Sequence, residues 1–219
     1  MSIATMILGQ SGTGKSTSLR NMDPTKILLI QAVRKPLPFR SAQWKPLKDG
    51  GCITKQSNAE NIKKLLLNAP QDIIIIDDFQ YIMASEFMSR ALEKGFDKFT
   101  EMAKNAYEIL MTAMNLPDHK RVYILSHTEE NDAGKTKIKT IGKLLDEKIT
   151  LEGLVTIVLQ TAVINGQYIF MTKNNGQNTV KSPIDLFEHE HIENDLNAVD
   201  KAICEFYGLT TEQNQATEI

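Results

Sequence analysis

Cysteine is scarce: Cys52 and Cys204 are the only two in 219 residues, they lie far apart, and neither belongs to a metal-ligand spacing. Neither a disulfide framework nor a zinc site is implied, and a reducing, cytoplasmic setting is expected. Long apolar runs are missing too. No stretch approaches the roughly 18 residues that a membrane-spanning helix needs, and residues 3–8 lack the basic flank and long apolar core of a signal segment. The chain is therefore expected to be neither secreted nor membrane-embedded. Neither sign of charge prevails, since 25 Lys and Arg stand against 27 Asp and Glu for a net charge of −2. A polyanion would have to be met by a local basic patch. Glycine and proline, 12 and 7 in number, are too few for a collagen-like or disordered chain, and 42% hydrophobic residues suffice for one core.

What is present is an alternation of short β-like runs with amphipathic segments, the habit of an α/β fold on a parallel sheet. One domain is expected over residues 1–208, followed by a polar tail, 209–219, expected to be disordered. Runs of Ile, Leu and Val predict strands at 4–8, 27–31, 73–77 and 122–126, buried on both faces. Ser57 with Glu60 three residues later has capping-box spacing and predicts a helix over 58–68, with Ile62, Leu65 and Leu66 inward. A longer helical stretch over 84–116, interrupted near Gly95, carries Leu92, Phe96, Phe99, Ala103, Ala106 and Leu110 on one face. Asn165-Gly166 between residues 156–164 and 167–173 predicts an antiparallel hairpin with a type I′ turn that extends the sheet. A closing helix over 195–207 turns Leu196, Val199, Ala202, Ile203 and Phe206 inward and stops at Gly208.

Gly9-Gln10-Ser11-Gly12-Thr13-Gly14-Lys15-Ser16 matches G-x-x-x-x-G-K-[ST] in full, between a strand and a helical segment over 17–22. The glycines let successive N–H groups face an anion, and the following helix would add its dipole. The eight motif residues and Thr17 are the expected nucleotide contacts. Lys15 would reach the β- and γ-phosphates, and the Ser16 hydroxyl would ligate Mg²⁺.

Asp72-Ile73-Ile74-Ile75-Ile76-Asp77-Asp78 places carboxylates at the end of a buried strand, where open α/β sheets bind ligands. Asp77 is expected to hold Mg²⁺ through a water, since an unpaired buried carboxylate is costly. Asp78 either polarises the attacking water or caps the following helix. Gln31 ends the second strand; an amide aligns water but takes no proton at neutral pH, so slow turnover is expected. Ser126 and His127 end the fourth predicted strand and are candidate sensors of the nucleotide, with an ordinary surface histidine as the alternative for His127.

No N-K-x-D motif reads guanine; Thr172-Lys173-Asn174-Asn175 does not supply it. No arginine-rich lid marks a small-molecule kinase. Residues 128–143 hold Lys135, Lys137, Lys139 and Lys143 with two glycines, and read as a mobile basic loop. Alternate lysines in an extended segment track a phosphate backbone, unless the loop is merely solvated. Residues 34–48 interleave Arg34, Lys35, Arg40, Lys45 and Lys48 with Phe39 and Trp44, either for stacking on unpaired bases or as a proline-stiffened surface loop packed on the core.

The layout resembles the RecA-like recombinase ATPases, and more narrowly the short phage-encoded ATP-binding proteins of that superfamily that act in single-strand annealing and recombination. The likeness covers about residues 3–208. It is carried by residues 9–16 and 73–78, by Ser126-His127 with the basic segment behind it, by the Asn165-Gly166 hairpin and by Thr179-Val180-Lys181-Ser182-Pro183. It implies a RecA-like P-loop core, a mostly parallel sheet flanked by helices with a C-terminal antiparallel hairpin, and an ATPase using ATP and Mg²⁺. It also implies contact of Lys135, Lys137, Lys139 and Lys143 with single-stranded DNA, and a homo-oligomer with nucleotide at the subunit interface. There Lys181 and Lys173 would reach the neighbour's nucleotide, and a single-strand binding protein is a further candidate partner. The departure is Gln31, where these ATPases usually present a glutamate. Two other readings stay open: an AAA+-type ATPase acting on a protein, with Arg90 as its arginine finger, and a nucleotide-gated binding module with negligible turnover.

Overall fold

Runs of β-branched and aliphatic residues can satisfy their backbone only in a ladder and their side chains only between two layers. The computed structural model, which describes residues 1–209 apart from the Asp146 side chain, builds such layers. In chain order the strands are β1 (Ile3–Leu8), β2 (Ile27–Gln31), β3 (Ile53–Lys55), β4 (Ile73–Asp77), β5 (Arg121–Ser126), β6 (Thr128–Glu130), β7 (Thr136–Ile138), β8 (Ile157–Ile164), β9 (Gln167–Met171) and β10 (His191–Glu193). The helices are α1 (Ala59–Asn68), α2 (Gln80–Ser89), α3 (Asp97–Met114), the one-turn α4 (Leu151–Leu154) and α5 (Leu196–Tyr207).

Among the described residues, eight strands join in the order β10-β9-β8-β1-β5-β4-β2-β3, and β6 pairs with β7 apart from them. The strands from β8 to β3 run parallel; β9 and β10 pair antiparallel at one edge. Successive side chains of β1, β2, β4 and β5 point to opposite faces. Met6, Leu8, Ile30, Ile76 and Ile124 meet α1, α2 and α3, whereas Ile7, Leu29, Ile75 and Leu125 meet α5, Leu19 and Trp44. Each fully buried aliphatic of this kind contributes about 2 kcal/mol relative to exposure. Asp200 of α5 pairs with Arg121 at 2.8 Å and accepts from the Tyr123 hydroxyl at 2.6 Å, which fixes α5 on β5.

The turn chemistry appears where expected. Asn165 and Gly166 both adopt positive φ, 51° and 78°, as a type I′ turn requires. Asp195 accepts from the Asn197 and Ala198 amides to start α5, and Gly208 ends it with φ 64°.

Four expectations shift. The α1 cap is Asn58, which accepts from Asn61 N at 3.1 Å, because Gln56 Oε1 accepts from the backbone amides of both Ser57 and Asn58. The 84–116 stretch divides into α2 and α3 across residues 90–96, so Leu92 and Phe96 lie outside the helical period and are 99% and 85% exposed rather than inward. Lys98 caps that break by donating to Arg90 O and Glu93 O. Phe206, in the last turn of α5, is 42% exposed rather than inward. Residues 128–138 form the β6–β7 hairpin instead of a loop: the Asn131 side chain accepts from Ala133 N and Lys135 N, and Gly134 takes φ 73°. Leu209 still donates to Cys204 O at 2.8 Å, and the rest of the expected tail, 210–219, lies outside the described residues. None of the described helices is long and apolar enough to cross a membrane.

Candidate functional site

Parallel strands deliver their carboxyl ends to one edge of the sheet. Leu8 is in register with Ser126, and Gln31 with Asp77. Residues 9–16, Gln31, Asp77-Asp78 and Ser126-His127 therefore converge there from four strands.

The glycine-rich loop is shaped by backbone conformations that side chains resist. Gly12 and Gly14 take φ 79° and 98°. A Cβ on Gly14 would stand 2.9 Å from Tyr168 Cδ1 and 3.1 Å from the Asn194 side chain, and one on Gly9 would overlap Thr161 Oγ1. Thr161 also shares a 2.6 Å hydrogen bond with Thr13 Oγ1, so β8 buttresses the loop. Lys15 lies across it, its ammonium donating to Gly9 O at 2.7 Å and Gln10 O at 2.8 Å. Gln10, Ser11 and Gly12 are exposed at the loop's crest. The helix expected over 17–22 is a six-residue 3₁₀ turn, Ser16–Asn21. So short a turn has little dipole, and the capacity for an anion rests on the loop amides and Lys15.

Ser16 Oγ donates to both carboxylate oxygens of Asp77, at 3.1 and 3.0 Å. Asp77 is wholly buried. Burial first, and the charge of Asp78 second, push its pKa up to about 6 against the pull of Lys35, Ser16 and Lys15. Burial lowers Lys15 to about 8, while Asp78 and Asp77 pull it back up. Asp78 does not cap α2, which starts without a side-chain cap. With φ 62° it turns its carboxylate to Lys35, with which it forms an ion pair, and to His127 Nε2 at 3.7 Å. Burial, together with Lys15, lowers the His127 pKa, so His127 is neutral at pH 7.

Gln31 Nε2 donates to Lys35 O at 3.2 Å and so holds the segment after β2. Ser126 donates its hydroxyl to Gln80 Oε1 at 3.2 Å, and the same oxygen accepts from His127 N at 3.1 Å. Lys35, Gln80 and Thr161 join the site without a signal in the sequence, since their partners lie 43, 46 and 148 positions away and no local spacing marks them.

Lys135, Lys137 and Lys139 alternate with Ile138, which is 2% exposed, so the three share the outer face of the hairpin. Lys137 pairs with Glu129 at 3.4 Å. The hairpin is anchored by buried Glu152, which accepts from Ile138 N at 2.8 Å, and by Lys139 N donating to His127 O at 2.8 Å. Lys143 lies beyond it, before the turn Leu144–Lys148. Lys173 donates to Glu188 O, and Lys181 pairs through its backbone with Val158; among the described residues neither bonds residues 9–16. Arg90 is clamped by Glu86, Glu93 and Glu101 at the α2–α3 break. Arg121 lies at the opposite, amino end of β5 with Asp200. Trp44 is 8% exposed and packs edge-on against half-buried Phe39 at 5.5 Å, so Trp44 anchors its loop in the core.

Beside Thr17 a groove of about 810 Å³ runs between Arg20, the β8–β9 turn with Tyr168, and His191–Asn194. Among the described residues no three His, Cys, Asp or Glu side chains gather into a protein-only metal cage. No protein-family model matches the chain, and no curated protein is significantly similar to it.

Proposed function

We propose that this chain is a RecA-like ATPase of the phage annealing and recombination type, which binds Mg·ATP at residues 9–16 and couples it to single-stranded DNA on the β6–β7 hairpin. The observation that carries the reading is the meeting of Ser16 with Asp77, 61 residues apart, beside a buried lysine and a loop of positive-φ glycines. A hydroxyl and a carboxylate are hard oxygen donors suited to Mg²⁺, which keeps the rest of its shell as water and phosphate. When bound, the metal neutralises charge on the phosphate oxygens.

The chain's own residues do the remainder. Amides around Gly12 and Gly14 face the phosphates, and Lys15 meets them as a point charge. The groove beside Thr17 has the volume for a nucleoside, with Tyr168 as one wall. Gln31, an amide where a carboxylate base would stand, takes no proton at neutral pH, which makes turnover slow. Coupling needs only one residue: His127 touches Asp78 on one side, and its carbonyl holds Lys139 of the hairpin on the other. Lys173 and Lys181, which among the described residues make no bond to residues 9–16, are assigned to a neighbouring protomer's nucleotide.

Anisotropy of labelled single-stranded DNA, measured over a salt series with and without a nonhydrolysable ATP analogue and Mg²⁺, tests the reading. The analogue should tighten binding, and Lys137→Ala with Lys139→Ala should flatten the salt slope by about 0.7 per lysine. DNA binding indifferent to nucleotide overturns the coupling.

A further inference from the structure

The carboxyl edge holds a cation that the phosphate-loop motif does not account for. Lys35 lies four residues beyond Gln31, the last residue of β2, and Pro36 stiffens the chain behind it. Two contacts fix it: its ammonium pairs with Asp78 and its carbonyl accepts from Gln31 Nε2 at 3.2 Å; before it, Ala32 N donates to Asp77 O at 3.1 Å to continue the ladder. The Lys35 side chain is 43% exposed, whereas the Asp78 side chain that holds it is 3% exposed.

Resting on the ATP-binding reading above, we propose that Lys35 supplies a second cation, from the same chain, to the terminal phosphate, and that Asp78 and Gln31 are its positioning residues. Phosphoryl transfer accumulates charge that one lysine and one metal do not fully offset, and related enzymes add an arginine for it. Of the five arginines, Arg20 pairs with Glu193, Arg90 with three glutamates and Arg121 with Asp200, while Arg34 and Arg40 are exposed. Lys35 stands at the right end of the site, because Asp77 and Asp78 mark where the metal and terminal phosphate must lie. Burial opposes the Lys35 charge, but the hydrogen bond and charge of Asp78 outweigh that and raise its pKa, so it is cationic at neutral pH. The oxygens of Asp78 are directed at Lys35 and His127, and its work is that of an anchor rather than of a base taking a proton from water. Gln31, in turn, acts on the phosphate through the lysine whose carbonyl it binds.

The consequence is discrimination. Lys15 and the loop amides meet phosphates that ATP and ADP share, whereas Lys35 meets only the one that ADP lacks. Calorimetric affinities for Mg·ATP and Mg·ADP, on the whole chain and its Lys35→Ala, Lys35→Arg and Asp78→Asn variants, test this. Lys35→Ala should lower ATP affinity about tenfold or more, the usual effect of losing one charged hydrogen bond, and leave ADP unchanged. Lys35→Arg should recover most of the preference, and Asp78→Asn should lose part of it. An unchanged ATP/ADP ratio in Lys35→Ala, or an equal loss for both nucleotides, overturns the role of Lys35 while leaving the nucleotide site standing. A wild-type protein that binds neither nucleotide overturns both.

Discussion

Replacing Asp77 by Asn should expose how much stability the candidate metal site withholds from the fold. The carboxyl group is wholly buried, and its pKa in the folded protein is about 6 against 3.8 for the free group. The folded chain therefore keeps a proton that the unfolded chain has already released, and stability falls as pH rises through that window. A tenfold difference in proton affinity is worth about 1.4 kcal/mol, so the ionised Asp77 costs about 3 kcal/mol by pH 7. Asn keeps an acceptor for the Ser16 hydroxyl and adds a buried N–H whose burial costs about 1–3 kcal/mol independently of pH. Urea denaturation of wild type and Asp77→Asn, in chelator and without nucleotide, between about pH 4 and 7.5 separates the two effects. The stability difference should move in favour of Asn by about 3 kcal/mol across the window, whatever its offset. A flat difference, or one moving the other way, would refute the claim that this is a desolvated carboxylate awaiting a cation. With Mg·ATP present the order should reverse, since only the wild-type acid can be neutralised by the metal.

Lys15, lowered to about 8, loses its charge within an accessible range. Nucleotide affinity measured by calorimetry should decline above about pH 8, approaching tenfold per pH unit, and Lys15→Met should bind weakly without that pH dependence. Trp44→Ala should cost about 3–5 kcal/mol in denaturation experiments because the ring is packed in the core, and the folded variant should bind single-stranded DNA as the wild type does. A selective loss of DNA affinity there would restore the stacking role.

What the sequence by itself determined is whatever is encoded within a few residues. The isoleucine run of 73–76 reads as a strand buried on both faces, Asn165-Gly166 as a tight turn, and the glycines of residues 9–16 as a loop able to curl around an anion. Helical period placed Ala103, Ala106 and Leu110 inward in the same way, and Gly95 marked the interruption, but the break spans residues 90–96 and so takes Leu92 and Phe96 out of the helical period. Tertiary structure alone decided the contacts between strand ends. Strand order sets which carboxyl termini are neighbours, and that order follows from how helices cover both faces of the sheet. Only with β5 between β1 and β4 does Ser16 reach Asp77, and only with β2 beside β4 does Lys35 reach Asp78. The basic segment shows the same division: its lysines are visible as a list, but their common face exists because Ile138 is drawn into the core and Glu152 ties the strand down.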